Sequence, residues 1–272
     1  MKKIIIYLLL PFLLLSCAKE DDRLFPDSAA DRMEQRIKDN LATLQNAANG
    51  WIMTLYPSDQ QLYGGYTLFV KFQDDGRVTV ASELKTTSDP ETITSLYTVF
   101  PEAGPVLSFD SYNSFIHYFS EPRNPNGPVE LGMGGDYEFM IMDAAPYETV
   151  LKGKKTGNKI LLTPIAAGEN WNTLMQQYVN AAGKMDFLQG EGNIGGIDVI
   201  VQKGDARTLN FYYSGNKVQE IPYHYTPDGL VFYKPLKLGG VEINALLYVD
   251  DPDEPCLLDA GDTDTQIIIT MK

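Results

Sequence analysis

The hydrophobic and polar positions of the chain repeat with two different periods. Over residues 33–48, apolar side chains recur every three or four residues, which predicts an amphipathic helix. Ser28 and Asp31 can form a capping box at its start, and Gly50 suits the left-handed position after its end. Helical spacing returns over residues 171–182. The chain is therefore predicted to have an N-terminal helix and a second helix further along.

Most other apolar residues alternate with polar ones, which is the two-residue period of strands. The clearest hairpin joins residues 66–72 to residues 77–82 across an Asp-Asp-Gly turn. Weaker signals predict further hairpins and a meander at residues 95–100, 106–109, 137–143, 148–154, 159–163, 208–213, 217–221, 241–250 and 266–271. The predicted fold class is α+β: mainly antiparallel β hairpins and meanders, with an N-terminal amphipathic helix and a second mid-chain helix.

The same order of elements occurs twice along the chain. Residues 67–72 can be aligned with residues 208–213, and residues 97–102 with residues 223–228. The first segment of each pair follows the first predicted helix, and the second segment of each pair follows the second helix. This shared order of elements suggests two related halves. These halves, as separate domains or as one continuous domain, are an N-terminal α+β half at residues 27–166 and a C-terminal α+β half at residues 167–272.

The beginning of the chain has the pattern of a lipoprotein signal peptide. Two lysines precede an apolar run at residues 4–15, which is too short for a stable membrane span and ends in Leu-Leu-Ser-Cys. Cleavage would remove residues 1–16 and leave Cys17 to carry acyl chains, with residues 17–26 as a lipidated tether. The alternative is an ordinary cleaved signal followed by an incidental cysteine.

A short charged run, Lys19, Glu20, Asp21 and Asp22, follows the cysteine. It resembles the surface-export signal of Bacteroidetes outer-membrane lipoproteins. That resemblance implies a protein anchored to the cell outer membrane by its lipid and facing the extracellular side. The alternative for these four residues is a solvated tether.

Charge and cysteine content narrow the classes of partner. The chain has 36 acidic and 22 basic residues and a formal net charge of −14, so it repels nucleic acid, and no basic stripe could neutralise phosphates. We therefore expect no nucleic-acid partner. If Cys17 carries lipid, the second of the 2 cysteines, Cys256, has no disulfide partner within the chain.

The motifs for catalysis, metals and cofactors are weak or absent. The chain has 2 histidines, no His-Glu-x-x-His helix and no Gly-x-Ser-x-Gly elbow, so a zinc peptidase or serine hydrolase is not expected. The glycine-rich residues 190–196 follow a predicted helix and precede a strand, the wrong context for a dinucleotide site. We expect no catalytic residue, no metal and no cofactor, although the sequence leaves open a pair of carboxylates for glycoside cleavage.

Aromatic residues supply the candidate ligand-binding positions, because a ring stacks on the apolar face of a sugar. The candidates are Tyr63, Tyr66, Trp51 and Trp171. Tyr63 is the best placed, since the adjacent Gly64 and Gly65 would let a ligand approach closely. The alternative for the two tryptophans is a position in the core.

Several segments together resemble a family of uncharacterised Bacteroidetes surface lipoproteins with a domain of unknown function. They are the acylated cysteine with its acidic tail, the opening helix at residues 28–44, Asn49-Gly50-Trp51, Tyr63-Gly64-Gly65-Tyr66, and residues 115–120 and 151–158. Members are often encoded beside starch-utilisation-like uptake systems, with a TonB-dependent transporter and its lid lipoprotein.

The resemblance implies an accessory protein of nutrient capture. Our first hypothesis is a non-catalytic surface lipoprotein that binds a glycan or peptide, or those transporter proteins, at the outer membrane. The alternatives are a carboxylate-based hydrolase and a purely structural subunit of the transporter complex.

Overall fold

The computed structural model describes residues 27–86, 89, 91–185, 189–249, 257–259 and 266–270. The predicted α+β class is wrong, because these residues form a mainly antiparallel β protein with few helical residues. An amphipathic helix normally forms a layer over the open face of a sheet. Here each sheet instead curls around its own core, so that the helices are accessories to two closed sheets.

The first closed sheet, which we call barrel 1, contains eight antiparallel strands paired in chain order. The last strand returns to the first, with Trp51 opposite Pro164, so the barrel has no free edge. The strands are β1 Trp51–Leu55, β2 Tyr66–Phe72, β3 Arg77–Ser82, β4 Ile93–Pro101, β5 Pro105–Phe109, β6 Glu138–Ala145, β7 Glu148–Gly153 and β8 Lys159–Pro164.

The second closed sheet, barrel 2, has the same chain-order pairing. Its first six strands form a curled sheet, which β15 and β16 close against β9. The strands are β9 Gln189–Ile194, β10 Ile197–Lys203, β11 Thr208–Tyr213, β12 Asn216–Thr226, β13 Gly229–Leu238, β14 Val241–Val249, β15 Leu257–Asp259 and β16 Gln266–Thr270.

The first helix, α1 (Ala29–Asn46), packs against barrel 1. It begins with the predicted capping box, in which the Ser28 hydroxyl accepts from the Asp31 N–H at 3.1 Å and the Asp31 carboxylate accepts from the Ser28 N–H at 3.3 Å. Leu44 lies in the barrel 1 core, and the Trp51 indole N–H donates to the Leu44 carbonyl at 2.8 Å. This face of the helix therefore matches the apolar stripe in the sequence.

A short helix, α2 (Ser114–His117), and a 3-10 turn (Tyr118–Ser120) follow β5 and add Phe115, Ile116 and Phe119 to the same core. The third helix, α3 (Trp171–Gly183), is capped by Asn170 and connects the barrels. Met175 and Tyr178 pack on Phe69 outside barrel 1, whereas Ala181 lies in the core of barrel 2. One helix thus contributes to the outside of one barrel and to the inside of the other.

The two pairs of segments aligned in the sequence differ in how they match the barrels. Residues 97–102 and 223–228 begin in β4 and β12, the fourth strand of each barrel, but the other pair matches strands of different rank. Residues 67–72 lie in β2, the second strand of barrel 1, whereas residues 208–213 form β11, the third strand of barrel 2. Alternating aromatic strands look alike wherever an inner face is buried, which explains the mismatch. The predicted division at residues 166 and 167 stays a prediction.

Candidate functional site

The two barrels contact each other around a buried ion pair. Arg207 precedes β11 and Glu83 follows β3, and their Nη1 and Oε1 atoms are 2.5 Å apart. The side chains are 14% and 2% exposed, respectively. Glu83 also accepts from the Thr67 N–H at 2.7 Å, and Arg207 donates to the Gly65 carbonyl at 2.8 Å. Because both charges have additional partners, the pair joins the barrels in a defined geometry.

The guanidinium of Arg207 also lies against two tyrosine rings. Its Cζ is 4.1 Å from the Tyr66 ring centroid and 4.8 Å from the Tyr225 ring centroid, within the range of cation–π attraction. Burial alone would lower the pKa of Arg207, but Glu83 together with Tyr66 and Tyr225 outweighs this effect, so the pKa is raised. The group is therefore a fixed positive charge at the contact between the barrels.

Gly64 and Gly65 allow this close contact. A Cβ on Gly64, which has a φ of 68°, would lie 2.4 Å from the Arg207 carbonyl oxygen. A Cβ on Gly65 would lie 2.6 Å from the Tyr56 Cζ and 2.8 Å from the His224 Cβ. The glycine pair, which the sequence suggested would admit a ligand, therefore admits the second barrel.

A cleft of about 500 Å³ opens between the barrels next to this contact. Outer-face residues of β1 and β8 form one wall, β12 and β13 form the other, and α3 adds one tyrosine. The lining residues are Ile52, Thr54, Tyr56, Lys159, Leu161, Thr163, Tyr178, His224, Thr226, Val231, Phe232, Tyr233 and Lys234. Its size, and its apolar walls with a few polar groups, are typical of small-ligand sites.

Hydrogen bonds and ring contacts hold the polar groups of the cleft in place. The Tyr56 hydroxyl and His224 Nδ1 are 2.8 Å apart, and the Tyr56 and Tyr233 ring centroids are 4.6 Å apart. The Tyr233 hydroxyl accepts from the Lys159 N–H at 3.2 Å and donates to Asn158 Oδ1 at 3.4 Å. These contacts cross from one barrel to the other, so the cleft walls are tied together.

Burial keeps the aromatic polar groups of the cleft uncharged. It raises the pKa of Tyr56 and, with the negative charges of Glu83 and Asp228, raises the pKa of Tyr178 to about 12. Burial, helped by Arg207, lowers the pKa of His224 to about 4. At neutral pH these side chains offer hydrogen bonds and rings, and the lysines supply the charge.

A family profile described as "Domain of unknown function (DUF4302)" matches residues 21–250. The chain belongs to the DUF4302 family. No curated protein matches it. A crystal structure of the beta subunit from DNA polymerase of Streptococcus pyogenes aligns with 88% of this DUF4302 chain, at 7% identity and a TM-score of 0.13. The chain spans 64% of that subunit, and so low a TM-score carries no argument about fold or function.

The aromatic residues that the sequence suggested as ligand platforms in this DUF4302 chain do not come together. Trp51 is 0% exposed, and Tyr66 is 8% exposed beneath Arg207, so neither ring can stack on a ligand from solvent. Trp171 packs edge-on against Phe69 and donates to the Asn49 carbonyl at 2.9 Å, which gives its indole a structural role.

Tyr63 lies in a separate cavity of about 350 Å³ at one end of barrel 1. The cavity is lined by three segments: a loop carrying Ser58 and Leu62, a loop carrying Leu131, and the turn between β7 and β8. Ser58 has a positive φ of 67°, an uncommon conformation for a residue other than glycine. Tyr63 thus borders an open concavity, which is separate from the cleft although Tyr56 of the cleft lies only seven residues earlier in the chain.

The sequence did not single out Tyr56, Tyr233 or the two lysines of the cleft. The available signal was the alternation in β1, where Ile52 and Thr54 face outward between buried neighbours and Tyr56 follows just after the strand. Nothing in the sequence indicated that this outer face would meet the outer face of β13.

The predicted signal peptide, Cys17 and the charged run at residues 19–22 lie outside the described residues. Within the described residues, no helix is both long and apolar enough to span a membrane. The same part of the chain contains no group of three or more His, Cys, Asp or Glu residues placed to hold a metal ion.

Proposed function

We propose that the chain is a surface lipoprotein of the Bacteroidetes type that binds a glycan in the cleft between its barrels. In this proposal Cys17 carries the lipid anchor, and Lys19, Glu20, Asp21 and Asp22 direct export to the extracellular side of the outer membrane. The protein serves as a non-catalytic accessory component of a nutrient uptake system, in contact with a TonB-dependent transporter and its lid lipoprotein.

The observation that carries the proposal is the composition of the cleft walls. Tyr233 provides a half-buried ring, which the buried Tyr56 ring supports from behind, and threonine hydroxyls lie between apolar residues. Rings that stack on a sugar face, beside groups that hydrogen bond to sugar hydroxyls, are the physical requirements for glycan binding. His224 is neutral at physiological pH and adds a further hydrogen-bonding group.

The pairing of the strands favours a glycan over a peptide. β1 pairs with both β2 and β8, and β13 pairs with both β12 and β14. An extended peptide usually gains affinity by adding a strand along an exposed edge, and each strand that borders the cleft already has a neighbouring strand on both sides, with only a short break in the pairing of β13. We therefore expect the cleft to recognise its ligand mainly through side chains.

The test is a thermal-shift and calorimetric screen of the purified protein against oligosaccharides and peptides. A ligand at one hundred times its Kd stabilises the native state by about 2.7 kcal/mol, which such a screen detects. The variant Val231→Trp fills the cleft and should abolish binding. Its matched control is Val218→Trp, which adds the same ring at a 45% exposed position of the same barrel and should bind normally.

Each other outcome of the screen contradicts the proposal. Binding that survives Val231→Trp would place the ligand elsewhere, with the Tyr63 cavity as the next position to block. Turnover of an oligosaccharide would favour a carboxylate-based hydrolase. Co-purification with transporter components without any affinity for glycans would favour a purely structural subunit.

The anchor and export signal need a separate test in cells. Cys17→Ala should abolish palmitate labelling and release the protein from the membrane. Alanine at residues 19–22 should preserve labelling but remove accessibility to external protease. Unchanged accessibility of the second variant would show that these four residues are a solvated tether.

A further inference from the structure

The cleft between the barrels carries the opposite charge to the rest of the chain. The chain as a whole has a formal net charge of −14. The residues that line the cleft include Lys159 and Lys234 but no aspartate or glutamate. A concave surface lined by one sign of charge concentrates ligands of the other sign, and apolar walls strengthen this effect.

The two lysines form no ion pair with a carboxylate among the residues that the structure describes. Among the described residues, Lys38, Lys85, Lys154, Lys217 and Lys237 form ion pairs with glutamates. No ion pair within the described part of the chain involves Lys159 or Lys234. The Lys234 Nζ lies 5.8 Å from the centroid of the Tyr233 ring. Both ammonium groups are therefore available to a ligand.

Tyr233 brings the two lysines to the same part of the cleft. It is the chain neighbour of Lys234, and its hydroxyl accepts from the Lys159 backbone N–H at 3.2 Å. The Tyr56 ring, 4.6 Å from the Tyr233 ring, lies on the same side. A tyrosine ring and two lysine residues thus line the cleft where β8 contacts β13.

We propose that the ligand of the cleft is an anionic carbohydrate whose carboxylates pair with Lys159 and Lys234 while a sugar ring contacts Tyr233. This inference rests on the proposed function, because it assigns a ligand class to the same cleft. A carboxylate bound by an ammonium group forms a charge-assisted hydrogen bond, which is stronger than a bond between neutral groups. The lysines therefore select the acid form of a sugar over its neutral analogue.

The test compares trigalacturonic acid with neutral galactotriose of the same linkage, which carries a hydroxymethyl group in place of each carboxylate. Calorimetry should give an affinity at least about tenfold higher for the acid, since one hydrogen bond to a charged group contributes about that factor. The double variant Lys159→Gln and Lys234→Gln should lose this preference. The matched control Lys152→Gln removes an exposed lysine of β7 that does not line the cleft, and it should keep the preference.

The other outcomes separate this inference from the proposed function. Equal affinity for both trisaccharides, blocked by Val231→Trp, would overturn the anionic preference and leave the glycan-binding function in place. An acidic preference that survives the double glutamine variant would overturn the role of the lysines. Hexaglutamate that binds as tightly as trigalacturonic acid would overturn the carbohydrate class. If neither trisaccharide nor any other glycan binds, both proposals fail.

Discussion

The ion pair between the barrels allows a quantitative prediction about stability. Replacing Arg207 with methionine keeps most of the side-chain volume but leaves the Glu83 carboxylate, which is 2% exposed, without its cation. Removing one partner of a buried ion pair typically costs 3–5 kcal/mol, because the remaining charge is not solvated. The guanidinium also contacts Tyr66 and Tyr225, so we expect Arg207→Met to lose about 4 kcal/mol of unfolding free energy.

Two further variants make the reasoning testable. In the double variant Arg207→Met and Glu83→Gln, no charge remains buried, so about 2 kcal/mol should be recovered. Arg77→Met breaks an ion pair with Asp75 in which the side chains are 61% and 48% exposed, and it should cost less than about 1 kcal/mol.

The assay is urea unfolding followed by two probes. The chain has two tryptophans. Trp51 lies in the core of barrel 1 and Trp171 packs on the outside of the same barrel, so their fluorescence reports mainly on barrel 1. Circular dichroism reports on both barrels, and separate midpoints for the two signals would indicate that the barrels unfold independently. The reasoning is refuted if Arg207→Met and Arg77→Met have equal stabilities, or if the double variant is as unstable as Arg207→Met.

Two more predictions concern the same region. Gly65→Ala places a methyl group 2.6 Å from the Tyr56 ring and should destabilise the protein by about 1–3 kcal/mol in urea unfolding, whereas Gly104→Ala, with no atom within 4 Å, should be close to neutral. His224 has a pKa of about 4 when folded against an ordinary 6.5, so the unfolded chain takes up its proton first and stability falls as pH drops from 6.5 to 4. This shift contributes about 3 kcal/mol to the free energy of unfolding at neutral pH. The variant His224→Gln should therefore lose less stability than the unaltered protein between pH 6.5 and pH 4. Equal pH profiles of stability for the two proteins would contradict the low pKa of His224.

The sequence predicted the local features of the fold well. The Ser28 cap, the length of α1 and the hairpin of β2 with β3 all depend on residues close together in the chain. The closing contact between Trp51 and Pro164 depends on distant residues and leaves no local pattern. A sequence that gives no sign of this closing contact predicts open hairpins, and open hairpins need helices to cover them. For this reason the sequence predicted the α+β class.

The candidate site was harder to predict than the fold. Tyr63 could be found because glycines flank it, but the same glycines serve the contact with Arg207. The cleft is made from the outer faces of strands whose inner faces dominate the hydrophobic pattern. Half-buried positions such as Thr54 look like ordinary surface positions in the sequence, and only the packing of the two barrels brings them into a common cleft.

The chain-order pairing of the strands has a consequence for how the protein folds. Nearly all pairings in each barrel join neighbouring strands, which can form early because short loops lose little entropy on closure. The pairing of β1 with β8 must wait until all six intervening strands are in place. Until then both strands have exposed edges that can pair with another molecule. We expect the late, slow step of folding to be barrel closure, and the aggregation-prone intermediate to be the open meander.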